Sequence, residues 1–357
     1  MTLILSNDDI DRLLTMTDYV EILEDANREL IAGRGLVRQR TDSLAPTKTP
    51  GAVYGLKSAD GVAPKFGTAA VRINSDIITY PEVGGVKRRV KVPAAPNKRW
   101  VGLVLLFSTE TGEPLAIFPD GNMQRMRVGA TNGLGAKYLA RQDARTAAVI
   151  GSGFQAGAQL MAIAAVRGIE RARCYSPSRE NRERFCREWS EKLKLDVTPA
   201  ATGEEAVKGA DIVACSTSSL GYVFFDKWLE PGMHVGSIKL AEIEPDAVNR
   251  SDLAFIHNHE HKAKALETSD LPDMKDISGL DGEVSKAIGF AKLPTLLDLI
   301  SGRLQGRTSD AQTTCFLNNM GTGYQFAACG AVAYRRAKER GLGHELPTDW
   351  FTEDVHP

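Results

Sequence analysis

No apolar run in the sequence approaches the roughly 20 residues that a membrane-spanning helix needs, so no membrane association is expected. There is almost no net charge. Forty-four basic against forty-five acidic side chains leave −1 at pH 7, and no global field draws the chain to nucleic acid or an anionic membrane. CxxC spacing is also missing: the five cysteines, Cys174, Cys186, Cys215, Cys315 and Cys329, are scattered and odd in number, which argues against a disulfide framework and for reduced, mostly buried thiols. GxSxG, HExxH and P-loop signatures are absent. The opening MTLILSNDDIDRLL turns acidic within ten residues and has no basic flank, unlike a secretory signal, so a cytoplasmic location is expected. What is present is an ordinary globular composition, 43% hydrophobic and 25% charged over 357 residues, long enough for two domains and suited to small-molecule work.

The most informative stretch is Thr146 to Gly168, TAAVIGSGFQAGAQLMAIAAVRG. A short apolar run ends at Gly151-Ser152-Gly153-Phe154-Gln155-Ala156, and an amphipathic segment begins at once, which reads as strand, glycine turn and helix. Gly151 permits the tight turn, Gly153 lets backbone approach a pyrophosphate, and Ala156 is small enough for helix–strand packing. The helix N-terminus offers free N–H groups and partial positive charge to phosphates. The alternative is a glycine turn that serves packing only.

Before this stretch, Ser6-Asn7-Asp8-Asp9 and Thr17-Asp18 read as helix starts, the second helix ending at Gly33, and the pair as a cap or dimer surface. Val37 to Gly67 reads as short broken strands, Ala69 to Ile73 as a strand, and Ser75 to Lys98 as a loop whose basic run Val86–Lys91 is a solvated face. Val101–Phe107 and Pro114–Phe118 form a hairpin, and Gly129 to Arg141 a helix. After it, strands alternate with helices: Ala172–Tyr175, a helix from Arg179 to Leu193, Leu195–Pro199, a short helix from Gly203, Ile212–Ser216, a strand ending at Val235, and Leu253–Ile256. That order implies a doubly wound parallel sheet with ligands at the carboxyl ends of its strands. Thr295 to Gly306 reads as a short helix and turn, and Tyr324 to Gly341 as the last helix.

The ordered phrases LLFSTETGEPLAI, a DG and an Arg before a helix ending AKYLAR, AAVIGSGFQA, CSTSS and EPGMHV resemble the ornithine cyclodeaminase/mu-crystallin family over about residues 35 to 345. The resemblance implies a homodimer of α/β chains, with a Rossmann-type doubly wound parallel sheet (129–324) inserted into a second α+β substrate and dimerisation domain (1–128 plus 325–357). It also implies chemistry on amino or imino acids.

Carried over position by position, Arg40 and Arg127 fall where the family holds the substrate carboxylate, a task that suits a planar guanidinium fork. Arg72 stands where the family has a proton-transferring Lys, and an Arg there orients or neutralises but makes a poor acid or base. The family's acid/base Asp after the fifth strand is missing from GMHVGSIKLAEIEPDAV, where Lys239 and Glu242 remain. Lys239 and Lys57 are therefore the candidate proton donors, each against the alternative of a solvated or structural lysine. On the cofactor side, Ser176, Ser178 and Arg179 at the tip of the second strand replace the acid that favours NAD, so NADP is preferred over NAD. Ser216, Thr217, Ser218 and Ser237 line the nicotinamide-ribose side, and Gly321 belongs to the segment that closes over the nicotinamide.

His257-Asn258-His259-Glu260-His261 resembles a metal cluster but reads as a polar loop, and no metal is expected; His234, inside an apolar strand, reads as a core imidazole. Three functions are weighed. The first is an NAD(P)H-dependent oxidoreductase of CH–NH or C=N bonds in an amino or imino acid, with three arginines hinting at an acidic substrate. The others are an amino-acid cyclodeaminase with bound NAD, made less favourable by the missing Asp, and a non-catalytic NADP-binding protein.

Overall fold

The computed structural model describes residues 1–83, 85–259, 263–269, 271 and 281–355. Two sheets organise them. The first is a parallel sheet of seven strands in the order Asp196–Pro199, Arg171–Tyr175, Thr146–Ile150, Ile212–Cys215, His234–Ser237, Thr314–Leu317, Leu253–Ile256. Its central strands are apolar runs buried end to end, as parallel strands covered on both faces require. One apolar cluster covers each face: Phe224, Val235, Ile256 and Phe290 on one side, and Leu160, Phe185, Trp189 and Val197 on the other.

The strand Thr314–Leu317 is missing from the sequence reading, although it lies between the fifth and sixth strands. Four consecutive buried residues carry no alternation by which to recognise a strand. The helix Arg179–Leu193 and the strand Leu253–Ile256 fall where the alternation places them.

The second, mixed sheet includes Thr41–Pro46, Val53–Ala63, Thr68–Thr79, Val101–Ser108 and Pro114–Pro119, extended by Thr2–Ile4 and His344–Leu346. Two expectations are corrected here. The supposed broken region contains the 11-residue strand Val53–Ala63, and the supposed loop at Ser75 is the second half of the 12-residue strand Thr68–Thr79. In the latter every second residue is buried, but the inward residues Arg72, Asn74 and Asp76 are polar, so a hydrophobic alternation is invisible there. The rest of the supposed loop holds the short strands Glu82–Val83, Val86–Lys87 and Val90–Val92.

Three helices join the two sheets. Met16–Ile31 starts at the cap Thr15, two residues before the expected start, because Asp18 closes a capping box from its third position. Gly121–Leu139 begins eight residues before the expected Gly129 and is buried along most of its length. Gly323–Arg340 docks its first turn on the sheet at Gly61, where a Cβ would stand 2.4 Å from Tyr324 N. The two N-terminal helices bury Ile10, Leu13, Tyr19 and Leu23 in the chain's own core. Among the described residues no helix is long and apolar enough to cross a membrane.

Candidate active site

The glycine turn lies at the carboxyl end of the parallel strand Thr146–Ile150. Gly151 has φ +116°, and a Cβ there would stand 2.2 Å from Ser216 O, so the turn needs glycine for both conformation and space. Gly153 differs: its φ of −87° suits any residue, and nothing lies within 4 Å of a built Cβ. The space it leaves faces a cleft of about 650 Å³. The helix Phe154–Val166 starts here, with Ala156 fully buried. Close helix packing falls on Gly157 as well, whose Cβ would collide with the Trp189 ring.

The cleft is lined by Gly151, Gly153, Phe154 and Gln155, by Ser176 and Ser178, and by Ser216, Thr217 and Ser218. Ser176 Oγ accepts from Ser152 Oγ at 2.8 Å, and Ser178 caps the helix Arg179–Leu193 by accepting from Asn181 N. Arg179 is not part of the lining: its guanidinium pairs with Glu183 at 2.7 Å and is largely exposed. Arg184 and Arg88 line the cleft instead. Ser216 Oγ, on the cleft lining, is buried without a partner, an orphaned hydroxyl of the kind a bound polar molecule satisfies, while Ser237 Oγ, also unpartnered, is fully buried and does not line the cleft. An open backbone approach, a free helix N-terminus and an unpartnered lining hydroxyl together fit a dinucleotide.

The tips of the fourth and fifth strands are tied by Glu242. Fully buried, it accepts from Thr217 N and Oγ1 at 2.6 and 2.9 Å and from Ile238 N at 3.0 Å. Lys239 turns its ammonium to the carbonyl of Ser219 and is half-buried.

The second half of the site is a polar patch on the inner face of the mixed sheet. Lys57 pairs in register with Asn74, and Asn74 with Gly102, where a Cβ would collide with the Asp120 carboxylate. Arg72 Nε donates to Asp120 Oδ2 at 2.7 Å, and Asn74 Nδ2 donates to the same oxygen at 2.9 Å. Lys57 Nζ meets Asp76 at 2.8 Å, and Lys91 reaches that carboxylate at 2.9 Å. Burial, then the Arg89 charge, outweighs the Asp76 contact and lowers the Lys57 pKa to about 8. Arg40 is held bidentately by Asp42 at 2.8 and 2.9 Å.

Arg127 differs from these four cations. It is 6% exposed, and its Nη1 donates to the neutral Gln325 Oε1 at 3.1 Å, while its Nε is buried with no partner. Burial and the Arg72 charge press its pKa down to about 9. Both guanidinium groups lie over the Phe326 ring, Arg127 at 5.3 Å and Arg72 at 5.8 Å from its centroid. Gly321 lies against Arg127, since a Cβ there would overlap Nη1. The fold therefore brings Arg72 and Arg127 together and sets Gly321 beside them, while Lys239 braces Ser219 of the cofactor cleft from behind its lining.

Asp76, Asp120 and Gln325 complete this patch. Their signal in the sequence is polar residues at inward positions of a strand or at a helix start, readable only once the register is known. His234 is a core imidazole, bonded to Thr314 Oγ1 at 2.9 Å, with burial taking its pKa down to about 3. His257 is buried against Met320 O at 2.5 Å and His259 is exposed; Glu260 and His261 lie outside the described residues. All five cysteines are free and buried, and burial pushes Cys215 and Cys315 up, the latter to about 12, away from thiolate chemistry.

A model of the ornithine cyclodeaminase/mu-crystallin family matches residues 86–340. The Δ1-pyrroline-2-carboxylate reductase of Bacillus cereus is 30% identical over 250 residues, 69% of this chain and 74% of that protein. The ornithine cyclodeaminase of Agrobacterium fabrum is 26% identical over 255 residues, 71% of this chain and 68% of that protein. The solved structure of Thermococcus litoralis Δ1-pyrroline-2-carboxylate reductase in complex with NADH and L-proline is similar at a TM-score of 0.78 and 26% identity, covering 97% of this chain and 100% of that chain.

Proposed function

The chain belongs to the ornithine cyclodeaminase/mu-crystallin family, and from that membership we propose that it is an NAD(P)H-dependent oxidoreductase acting on the C=N bond of an imino acid or the CH–NH bond of the matching amino acid. The observation that carries the substrate class is Arg127: a buried guanidinium with a free Nε and no carboxylate partner among the described residues. An uncompensated buried cation is costly unless a ligand anion pairs with it, and a planar fork matches a carboxylate. Arg40 and Arg72 are already neutralised by Asp42 and Asp120, so the geometry supports one substrate carboxylate; an acidic substrate requires one of those acids to release its arginine.

The nicotinamide group, when bound, supplies or accepts the hydride. The residues of this chain do the rest. Arg127 fixes the carboxylate, and Arg72 orients the substrate from a charge position fixed by Asp120. Lys57 is the better proton donor of the two lysines, since its lowered pKa eases release of a proton to the imine nitrogen, directly or through water. Lys239 holds the cleft wall through Ser219. The hydroxyls of Ser176 and Ser178, with Arg184 rather than Arg179, support NADP over NAD.

The division into a Rossmann domain at 129–324 and a substrate domain at 1–128 plus 325–357 is part of this reading, as are cytoplasmic residence and a homodimer. The test is a panel of cyclic and linear imino acids offered with NADPH and with NADH, followed by nicotinamide absorbance. Sustained oxidation of the cofactor supports the proposal. Ammonia release from ornithine or lysine without net absorbance change replaces it with cyclodeamination.

A further inference from the structure

The basic run of Val86–Lys91 is not wholly a solvated face. Lys87 and Arg89 are exposed, but Arg88 is half-buried and lines the cofactor cleft. The run forms an arm that leaves the mixed sheet after Thr79 and rejoins it where Val90 pairs back with Thr79. Its root is fixed by the Lys91–Asp76 ion pair at 2.9 Å. Its middle crosses to the parallel-sheet side: Arg88 bridges antiparallel to Ser219, Arg89 N donates to Ser218 O at 3.3 Å, and Leu220 N donates to Lys87 O at 3.2 Å. Arg88 N is tied back to Pro81 O at 2.9 Å, while its Nε is buried without a partner.

We infer that Arg88 is a clamp for the diphosphate of the cofactor, carried by the substrate-side sheet onto the wall of the cleft that abuts the glycine turn. The inference rests on the dinucleotide reading above. The location selects the diphosphate. Arg88 is paired with the loop that follows Ser216, and Ser216 O is the atom against which Gly151 is packed. The ribose-phosphate candidates Ser176 and Ser178 stand on the second strand's tip instead. A dinucleotide's diphosphate spreads two negative charges over four non-bridging oxygens, more than one helix N-terminus neutralises, and a guanidinium with an unsatisfied donor in the same cleft answers the remainder.

The experiment uses the full-length protein and its Arg88→Met variant, with dissociation constants for NADPH, NADH, ADP-ribose and adenosine. NADPH, NADH and ADP-ribose are each expected to weaken by about tenfold or more, as for loss of one charge-assisted contact, with adenosine unchanged. Arg89→Met, the exposed neighbour, is the control for diffuse charge and is expected to change each constant by less than about twofold. A loss confined to NADPH assigns Arg88 to the 2′-phosphate and overturns the diphosphate assignment. An equal loss in both variants, or none in Arg88→Met, overturns it too. Failure of the parent protein to bind any dinucleotide rejects the underlying cofactor reading instead, so the two failures are distinguishable.

Discussion

The cations at the polar patch are separated by their partners rather than by their positions. Lys57, Arg72 and Arg40 each hold a carboxylate of the chain itself, and Arg127 holds a neutral amide. Arg127→Ala is expected to lower kcat/KM for every imino acid by about a hundredfold or more, with little change in cofactor affinity, because truncation removes the proposed carboxylate anchor. Arg127→Lys recovers only part of the loss, since an ammonium cannot pair bidentately. Steady-state kinetics of both variants check this, and unchanged kinetics in Arg127→Ala rule out the carboxylate assignment. Lys57 has a folded pKa lowered to about 8, so its proton-donating form is present below pH 8 and lost above it. Reduction is therefore expected to fall as pH rises through about 8, while amino-acid oxidation, which needs the neutral amine, rises over the same window. Lys57→Met is expected to remove that limb from the pH–rate profile in both directions. Persistence of the limb assigns the proton to another group.

Gly153 at the turn and Gly157 in the helix that follows do different work, and each part is separately measurable. Gly157 faces the Trp189 ring of the next helix, so Gly157→Ala is expected to cost about 1–3 kcal/mol of stability through overpacking, read as a lowered Tm. Gly153 meets nothing, so Gly153→Val is expected to stay within about 1 kcal/mol of the parent in stability while weakening NADPH about tenfold or more, by filling the space the backbone leaves for phosphate. Calorimetry and a binding titration separate the two outcomes. Equal thermal losses in both variants return the turn to packing alone. The strand Thr68–Thr79 shows a related division along one element: Ala70 and Ile78 bury apolar side chains on the same face that presents Arg72, Asn74 and Asp76 to the site.

Across the whole molecule, the mixed sheet turns its polar inner face to the site and an apolar outer face to solvent. Leu56 and Val101 are each paired with Ser75, and Leu103 with Ile73, which places them on that outer face, where Leu56, Val101 and Leu103 remain about two-fifths exposed. The N-terminal helices, expected as a cap or dimer surface, spend their apolar residues on the core, so the proposed homodimer is better supported on this sheet. Leu103→Glu is expected to shift the protein from dimer to monomer in sedimentation velocity, with the isolated fold retained; a dimer unaffected by the change places its interface elsewhere. The cofactor half was legible in the sequence because its signals are local: a strand end, a glycine with φ above zero, a helix start and a cap lie within a few consecutive residues. The family resemblance also located Arg72 and Arg127 by order along the chain. Pairing was not legible. Whether an arginine is free or spent on Asp42, Asp120 or Glu183, and whether Lys57 or Lys239 stands in the polar patch, depends on contacts between distant segments, which no local period records. The same holds for Arg88, whose basic run reads as solvated until the arm is seen to cross to Ser219. Local backbone chemistry thus determined the fold class and the cofactor turn, and tertiary register alone decided which charges remain available for a substrate, because burial and ion pairing are properties of the packed chain.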